Sequence, residues 1–132
     1  DMITWIRLVV VASLLAATGC ATAVDLSNLN ASYETLLARK YAPPAKADGP
    51  TDLSVDTERQ EIANGFDSVG ASALDASKKN VETPTRIAAL RLAAVAYWQA
   101  NEPEKATNAK VAGLQLCTDK AAGAPRDCAL LA

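Results

Sequence analysis

The sequence contains no histidine, and its 132 residues include only two tryptophans, three tyrosines and one phenylalanine. The lack of histidine excludes His-based catalytic triads, His general bases and the usual His-containing zinc sites. The sequence also has no G-x-S-x-G motif, no P-loop and no dinucleotide-binding glycine pattern. No motif therefore supports an enzyme, and we predict neither a cofactor nor a metal ion.

The chain also lacks an excess of charge of one sign. Its 13 Lys and Arg residues stand against 15 Asp and Glu residues, for a net charge of −2. A surface that holds a polyanion such as DNA or RNA needs clustered positive charge. We therefore predict that nucleic acid is not a partner. Separately, the length of the chain argues for one domain at most.

A long apolar run is missing as well. Residues 8–17 are apolar or small and follow a short start, residues 2–7, that contains Arg7. This run is shorter than the roughly 20 residues that a membrane span requires. A short basic start, an apolar run and then small residues are typical of a secretory signal peptide. We predict that residues 1–19 form such a signal peptide.

Ala17-Thr18-Gly19-Cys20 resembles the lipobox of bacterial lipoproteins. The resemblance implies cleavage before Cys20, a lipid on the Cys20 sulfur, a membrane partner through that lipid, and a short tether over residues 20–25. Because Ala21 follows the cysteine, where aspartate tends to retain such proteins in the inner membrane, it implies an outer-membrane lipoprotein facing the periplasm. Two alternatives stay open: cleavage after Ala21-Thr22-Ala23, which would release a soluble periplasmic protein, and an uncleaved buried helix.

The cysteines number three, Cys20, Cys117 and Cys128. An odd number in an exported protein needs an explanation, and lipidation or removal of Cys20 leaves an even pair. Gly123 and Pro125 allow the intervening segment to turn back, and the periplasm is oxidising. We predict a structural Cys117–Cys128 disulfide, with two separate buried thiols as the alternative.

Residues 26–132 predict a single all-α domain, a compact bundle of about four helices. Helix one covers residues 26–41, where an apolar stripe recurs at helical spacing; it consists of Leu26, Leu29, Tyr33, Leu36, Leu37 and Tyr41. Residues 42–51 contain three prolines and form a loop. Helix two begins near Asp52 or Ser54 and runs towards Lys79. Gly65 and Gly70 indicate either a close approach by a neighbouring helix or a break near residue 65.

The start of helix three is marked by Thr83 as a capping residue and Pro84 as the first helical residue. This helix runs to about residue 100, where Asn101 can adopt the left-handed conformation that ends it. Helix four covers residues 103–117. Only Asn101 and Glu102 separate the two helices, so they must form an antiparallel hairpin.

The hairpin between Leu90 and Leu116 resembles a tetratricopeptide repeat, with small residues at Ala94 and Ala106 where its helices touch. A lone repeat cannot bury its own apolar face, so helices one and two must cover it. The alternative is a generic alanine-rich hairpin.

Helix three presents two adjacent stripes. A predicted core face contains Ile87, Leu90, Ala94 and Tyr97. The neighbouring stripe contains Arg91, Val95 and Trp98. In repeat hairpins this position lines the concave ligand face, which here consists of Ala88, Arg91, Val95, Trp98 and Gln99. Because Trp and Arg are enriched at binding hot spots, we predict that this stripe binds a partner protein. The alternative is that Trp98 packs under helix one, helix two or the disulfide loop.

These features predict an outer-envelope lipoprotein that acts as an adaptor or scaffold for another envelope protein. The alternative is a cell-wall enzyme or enzyme inhibitor that uses surface carboxylates such as Glu58 and Glu61, and a third is a domain that only fills space or responds to stress. A groove lined by Arg91, Val95 and Trp98 would favour the adaptor. A cleft around a buried carboxyl group with a raised pKa would favour the enzyme.

Overall fold

The computed structural model describes residues 26–42, 52–79, 81–118 and 124–132. Within these ranges the secondary structure is helical and no strand occurs, which confirms the all-α prediction. The helices are α1 over residues 26–40, α2 Asp52–Ser77, α3 Thr83–Gln99, α4 Pro103–Cys117 and α5 Pro125–Leu131. The predicted signal peptide, Cys20, the tether and loop residues 43–51 lie outside the described residues. In the described part of the chain, no helix has both the length and the apolar character needed to cross a membrane.

Helix α3 lies between α2 and α4 and packs against both. The predicted core face is correct for Ile87, Leu90 and Tyr97, whereas Ala94 is only half-buried. The buried set extends further around the helix, to Ala89, Leu92, Ala93 and Ala96. A helix that is covered on two sides needs apolar residues on both. The single stripe predicted from spacing therefore underestimated the burial of α3.

Helix α2 is continuous through both of its glycines, so no break occurs near residue 65. A methyl group on Gly65 would lie 2.8 Å from Leu36 Cδ2, and one on Gly70 would lie 2.9 Å from the Tyr97 ring. Each glycine thus lets a neighbouring side chain approach the backbone of α2. Between them, the fully buried Phe66 ring packs edge-on against Tyr33 of α1, with 5.6 Å between the ring centres.

The prediction that Thr83 caps α3 is wrong, because Thr83 is the first helical residue and Glu82 occupies the cap position without a side-chain cap bond. The Glu82 carbonyl accepts the first helical hydrogen bond, from the Arg86 N–H at 3.0 Å. At the other end, Asn101 has a φ of 60°, as predicted. The Asn101 and Glu102 N–H groups donate to the carbonyls of Trp98 and Tyr97, which is the pattern of a Schellman motif.

The Cys117–Cys128 disulfide is present, with 5.7 Å between the two Cα atoms, and the prediction is confirmed. It joins the last residue of α4 to α5, a short fifth helix that the four-helix expectation did not include. Leu131 of α5 is 3% exposed and belongs to a buried cluster with Ile87 and Ala124. A methyl group on Gly113 would lie 2.7 Å from Leu131 Cδ1, so the small residue on α4 makes room for the leucine on α5.

Ala106→Leu is expected to lower the free energy of unfolding by about 1–3 kcal/mol. Ala106 is 5% exposed and packs in the main core together with Ala93, Ala96 and Tyr97, so a larger side chain must displace its neighbours. Asn108→Leu, at an exposed position of the same helix, is the control and should change stability by less than about 0.5 kcal/mol. Urea unfolding of both variants measures the difference. Equal stabilities would contradict this placement of Ala106.

Candidate functional site

Four residues of the predicted partner-binding face, Arg91, Val95, Trp98 and Gln99, line one groove of about 420 Å³, and the fifth, Ala88, is not among its lining residues. We call it the α5 groove, because α5 and the residue after it provide Leu130, Leu131 and Ala132. Its remaining lining residues are Tyr33, Ala94, Ala106, Thr107 and Lys110. The predicted stripe on α3 is therefore one wall of a concave surface that four helices build together.

Trp98 is 66% exposed, so the alternative in which it packs under another element does not hold in this structure. It also lines a second groove, of about 440 Å³, which we call the α1 groove; this groove is lined by Lys40, Tyr41, Trp98, Gln99, Asn101 and Pro103. The indole is thus a wall that the two grooves share. An exposed large aromatic side chain between two concave surfaces is positioned to contact a partner on both sides.

Helical spacing predicted that Tyr41 continues the apolar stripe of helix one, but the helix ends at residue 40. Tyr41 is 69% exposed, lies just past the last residue of α1 and lines the α1 groove. Leu130, 58% exposed, was missed because α5 was not predicted. Periodicity shows which residues share a helical face, but not where a neighbouring helix stops covering that face.

Arg91 has a structural contact in addition to its place in the groove. Its Nε donates to Asp127 Oδ1 of α5 at 2.9 Å, and both side chains are about two-thirds or more buried, at 33% and 27% exposed. A charge-assisted hydrogen bond of this kind is stronger than one between neutral groups. The contact therefore links α5 to α3, and the Asp127 carboxylate neutralises the charge of Arg91.

Gln99 is held in place by residues at the end of α1. Lys40 Nζ donates to the Gln99 backbone carbonyl at 3.2 Å and to its Oε1 at 2.7 Å, and the Tyr41 hydroxyl donates to the same Oε1 at 3.5 Å. The Lys40 ammonium thus lies at the carboxyl end of α3, where the helix dipole favours positive charge. Burial raises the pKa of Tyr33, and its side-chain hydrogen bond to Gln99 opposes that rise. These contacts join α1 to the groove wall.

The charged side chains that line the two grooves have one sign. Among the described residues they are Lys40, Arg91 and Lys110, with no Asp or Glu. Lys110 forms no ion pair with any residue that the structure describes. The acceptors of Lys40 are the uncharged backbone carbonyl and side-chain amide of Gln99. Each groove therefore contains one lysine that has no ion-pair partner within the described ranges.

The carboxylates considered for an enzyme lie elsewhere. Glu58 and Glu61 are exposed and each lies 3.9 Å from Arg39. Hydrogen bonding with the Glu102 carboxyl group and with the Lys105 ammonium holds the pKa of Asp67 below its ordinary value of 3.8, the opposite direction from a general acid. Across the described ranges, no group of three or more His, Cys, Asp or Glu residues is arranged to hold a metal ion.

No protein-family model, no curated protein and no solved structure matches this chain. The chemistry of the grooves therefore carries the functional interpretation.

Proposed function

We propose that this protein is an outer-membrane lipoprotein, anchored through Cys20 and facing the periplasm, whose helical domain is an adaptor or scaffold for another envelope protein. The proposed location at the outer membrane depends on the lipobox-like Ala17-Thr18-Gly19-Cys20 segment. The Cys117–Cys128 disulfide supports export, because disulfides persist in oxidising compartments.

The observation that carries the binding role is the exposure of Trp98 on the wall between two grooves. An exposed tryptophan leaves a large apolar surface in water, and the same side chain contributes strongly to affinity once a partner covers it. Val95 and Leu130 extend the apolar surface in the α5 groove. The α3–α4 hairpin, with Ala106 buried in it, supports the likeness to a tetratricopeptide repeat that presents its concave face to a ligand.

A photo-crosslinking amino acid at Thr107 tests the proposal in cells. Thr107 is exposed and lines the α5 groove, so irradiation should join the protein to one or a few envelope proteins. The matched control is the same amino acid at Ser72, an exposed position of α2 that lines neither groove. Identical crosslinked species from Thr107 and Ser72, or none from Thr107, would overturn the binding role.

Cys20→Ser is expected to release the protein from membranes and to leave the signal segment uncleaved, because the lipid and the cleavage site both depend on that cysteine. Fractionation of cell envelopes and N-terminal sequencing measure both effects. Cys117→Ser is the control and should leave membrane association intact. Normal processing of Cys20→Ser to a chain that begins at Val24 would contradict the lipid anchor and indicate the soluble periplasmic alternative.

A further inference from the structure

The two grooves beside Trp98 differ in charge from the rest of the molecule. The chain as a whole carries a net charge of −2, yet the charged side chains that line the grooves, among the residues that the structure describes, are all cations. Since Asp127 neutralises Arg91, the cations without an ion-pair partner in this part of the chain are Lys110 in the α5 groove and Lys40 in the α1 groove. A binding surface and its partner tend to carry complementary potentials, so the surface selects negative charge.

The walls around these lysines are in part apolar. Val95, Leu130 and Leu131 line the α5 groove beside Lys110, and Tyr41 and Pro103 line the α1 groove beside Lys40. The two volumes, about 420 and 440 Å³, lie in the range of clefts that accept ligands or large side chains. An occupant of both grooves therefore needs a bulky apolar side chain with carboxylates close to it in sequence.

We infer that the occupant is an acidic segment of a partner protein, in which Asp or Glu residues flank a large apolar side chain that packs against Trp98. This inference rests on the proposed function and names the chemistry of its partner. An extended segment can cross the shared Trp98 wall and place successive groups in each groove. A flat lipid surface fits this shape less well, because the cations and the apolar walls lie in concave clefts.

A fluorescence titration tests the inference on the processed chain that the proposed function implies, which begins at Cys20. Removal of residues 1–19 takes away Trp5 and leaves Trp98 as the sole tryptophan, so the emission reports on the environment of the shared wall. The probe is the blocked peptide Gly-Glu-Glu-Phe-Glu-Glu-Leu-Gly. Matched controls replace each Glu by Lys, or replace Phe and Leu by Ser. The acidic apolar peptide should change the emission of Trp98 with saturation, and both control peptides should bind at least about tenfold more weakly.

Lysine variants test whether Lys40 and Lys110 account for the affinity for the acidic peptide. Lys40→Gln with Lys110→Gln should raise the Kd of the acidic peptide about tenfold. Lys110→Gln alone should raise it about threefold. This variant removes no ion pair with the described residues and changes an exposed side chain, so the fold should tolerate it. Lys78→Gln with Lys79→Gln makes the same change in net charge at exposed positions after α2 and should leave the Kd within about twofold.

Each contrary result has a distinct meaning. Equal affinity for the Lys-containing peptide, or an equal loss in the Lys78 and Lys79 variant, would overturn the acidic occupant. A response of Trp98 to phosphatidylglycerol vesicles but not to the peptide would make the surface a membrane contact. A Trp98 emission that depends on protein concentration alone would indicate a second copy of the chain. If Thr107 still crosslinks to an envelope protein in any of these cases, the result supports the adaptor function and rejects only the acidic segment as the occupant of the grooves.

Discussion

Replacing both cysteines of the Cys117–Cys128 disulfide by serine is expected to lower the free energy of unfolding by about 3 kcal/mol. The two cysteines are 11 residues apart in sequence, and closing a loop of that length removes about this much chain entropy from the unfolded state. A small domain has about 5–15 kcal/mol in total, so the loss should be plain in a thermal melt.

The structure also predicts where the effect of the missing disulfide is concentrated. Helix α5 has only seven residues, too few to be stable alone, and besides the disulfide it is held by the Arg91–Asp127 pair and by burial of Leu131. Amide hydrogen exchange should therefore accelerate most in α5, while α2 and α3 keep their protection. Because Leu130 and Leu131 line the α5 groove, crosslinking from Thr107 should fall in the same variant.

Asp127→Asn is the matched control for this double variant. It weakens the contact with Arg91 and leaves the disulfide in place, so it should lower the free energy of unfolding by only about 1 kcal/mol. Equal losses in the two variants would show that the ion pair rather than the disulfide holds α5. Free thiols at Cys117 and Cys128 in protein taken from the periplasm would contradict the disulfide itself.

Trp98→Ala is expected to weaken partner binding by about 30-fold or more, as the truncation of a hot-spot tryptophan does, and to change the stability of the fold little. The side chain is 66% exposed, so its removal leaves no cavity. Loss of crosslinking from Thr107 measures the first effect and a thermal melt the second. The two measurements separate a binding residue from a residue that holds the fold.

Phe66→Ala provides the opposite case for comparison. The Phe66 ring is fully buried and packs against Tyr33, and its truncation should cost about 3–5 kcal/mol. If Trp98→Ala melts as early as Phe66→Ala, then Trp98 holds the fold and the binding face lies elsewhere. If it melts like the parent and still crosslinks fully from Thr107, Trp98 is not the anchor.

Many of the helix boundaries were predictable because they depend on residues that are close together in sequence. Pro103 marks the start of α4, and Asn101 supplies the positive φ that ends α3. The two-residue linker between them requires a hairpin, and the cysteine pairing follows from an odd count once Cys20 is set aside. Helical spacing likewise placed Arg91, Val95 and Trp98 on one stripe, and the structure brings that stripe to one groove wall.

The predictions were wrong or incomplete where the burial or the pairing of a side chain depends on a residue far away in the chain. Spacing alone could not tell whether Trp98 is exposed, because that depends on how far α1 and α5 extend over α3. The pairing of Arg91 with Asp127 joins residues 36 apart in sequence. The sequence of α5 has no strong apolar periodicity from which a helix could be predicted.

The sequence by itself determined helices α1 to α4, the turn between α3 and α4 and which cysteines pair, since prolines and short linkers act through neighbouring residues. The tertiary structure alone decided that α5 forms, which apolar residues are covered, why Gly65 and Gly70 are glycines, and that two groove lysines have no ion-pair partner among the described residues. Burial and charge balance are properties of the elements that pack against a residue, and a local pattern does not contain them.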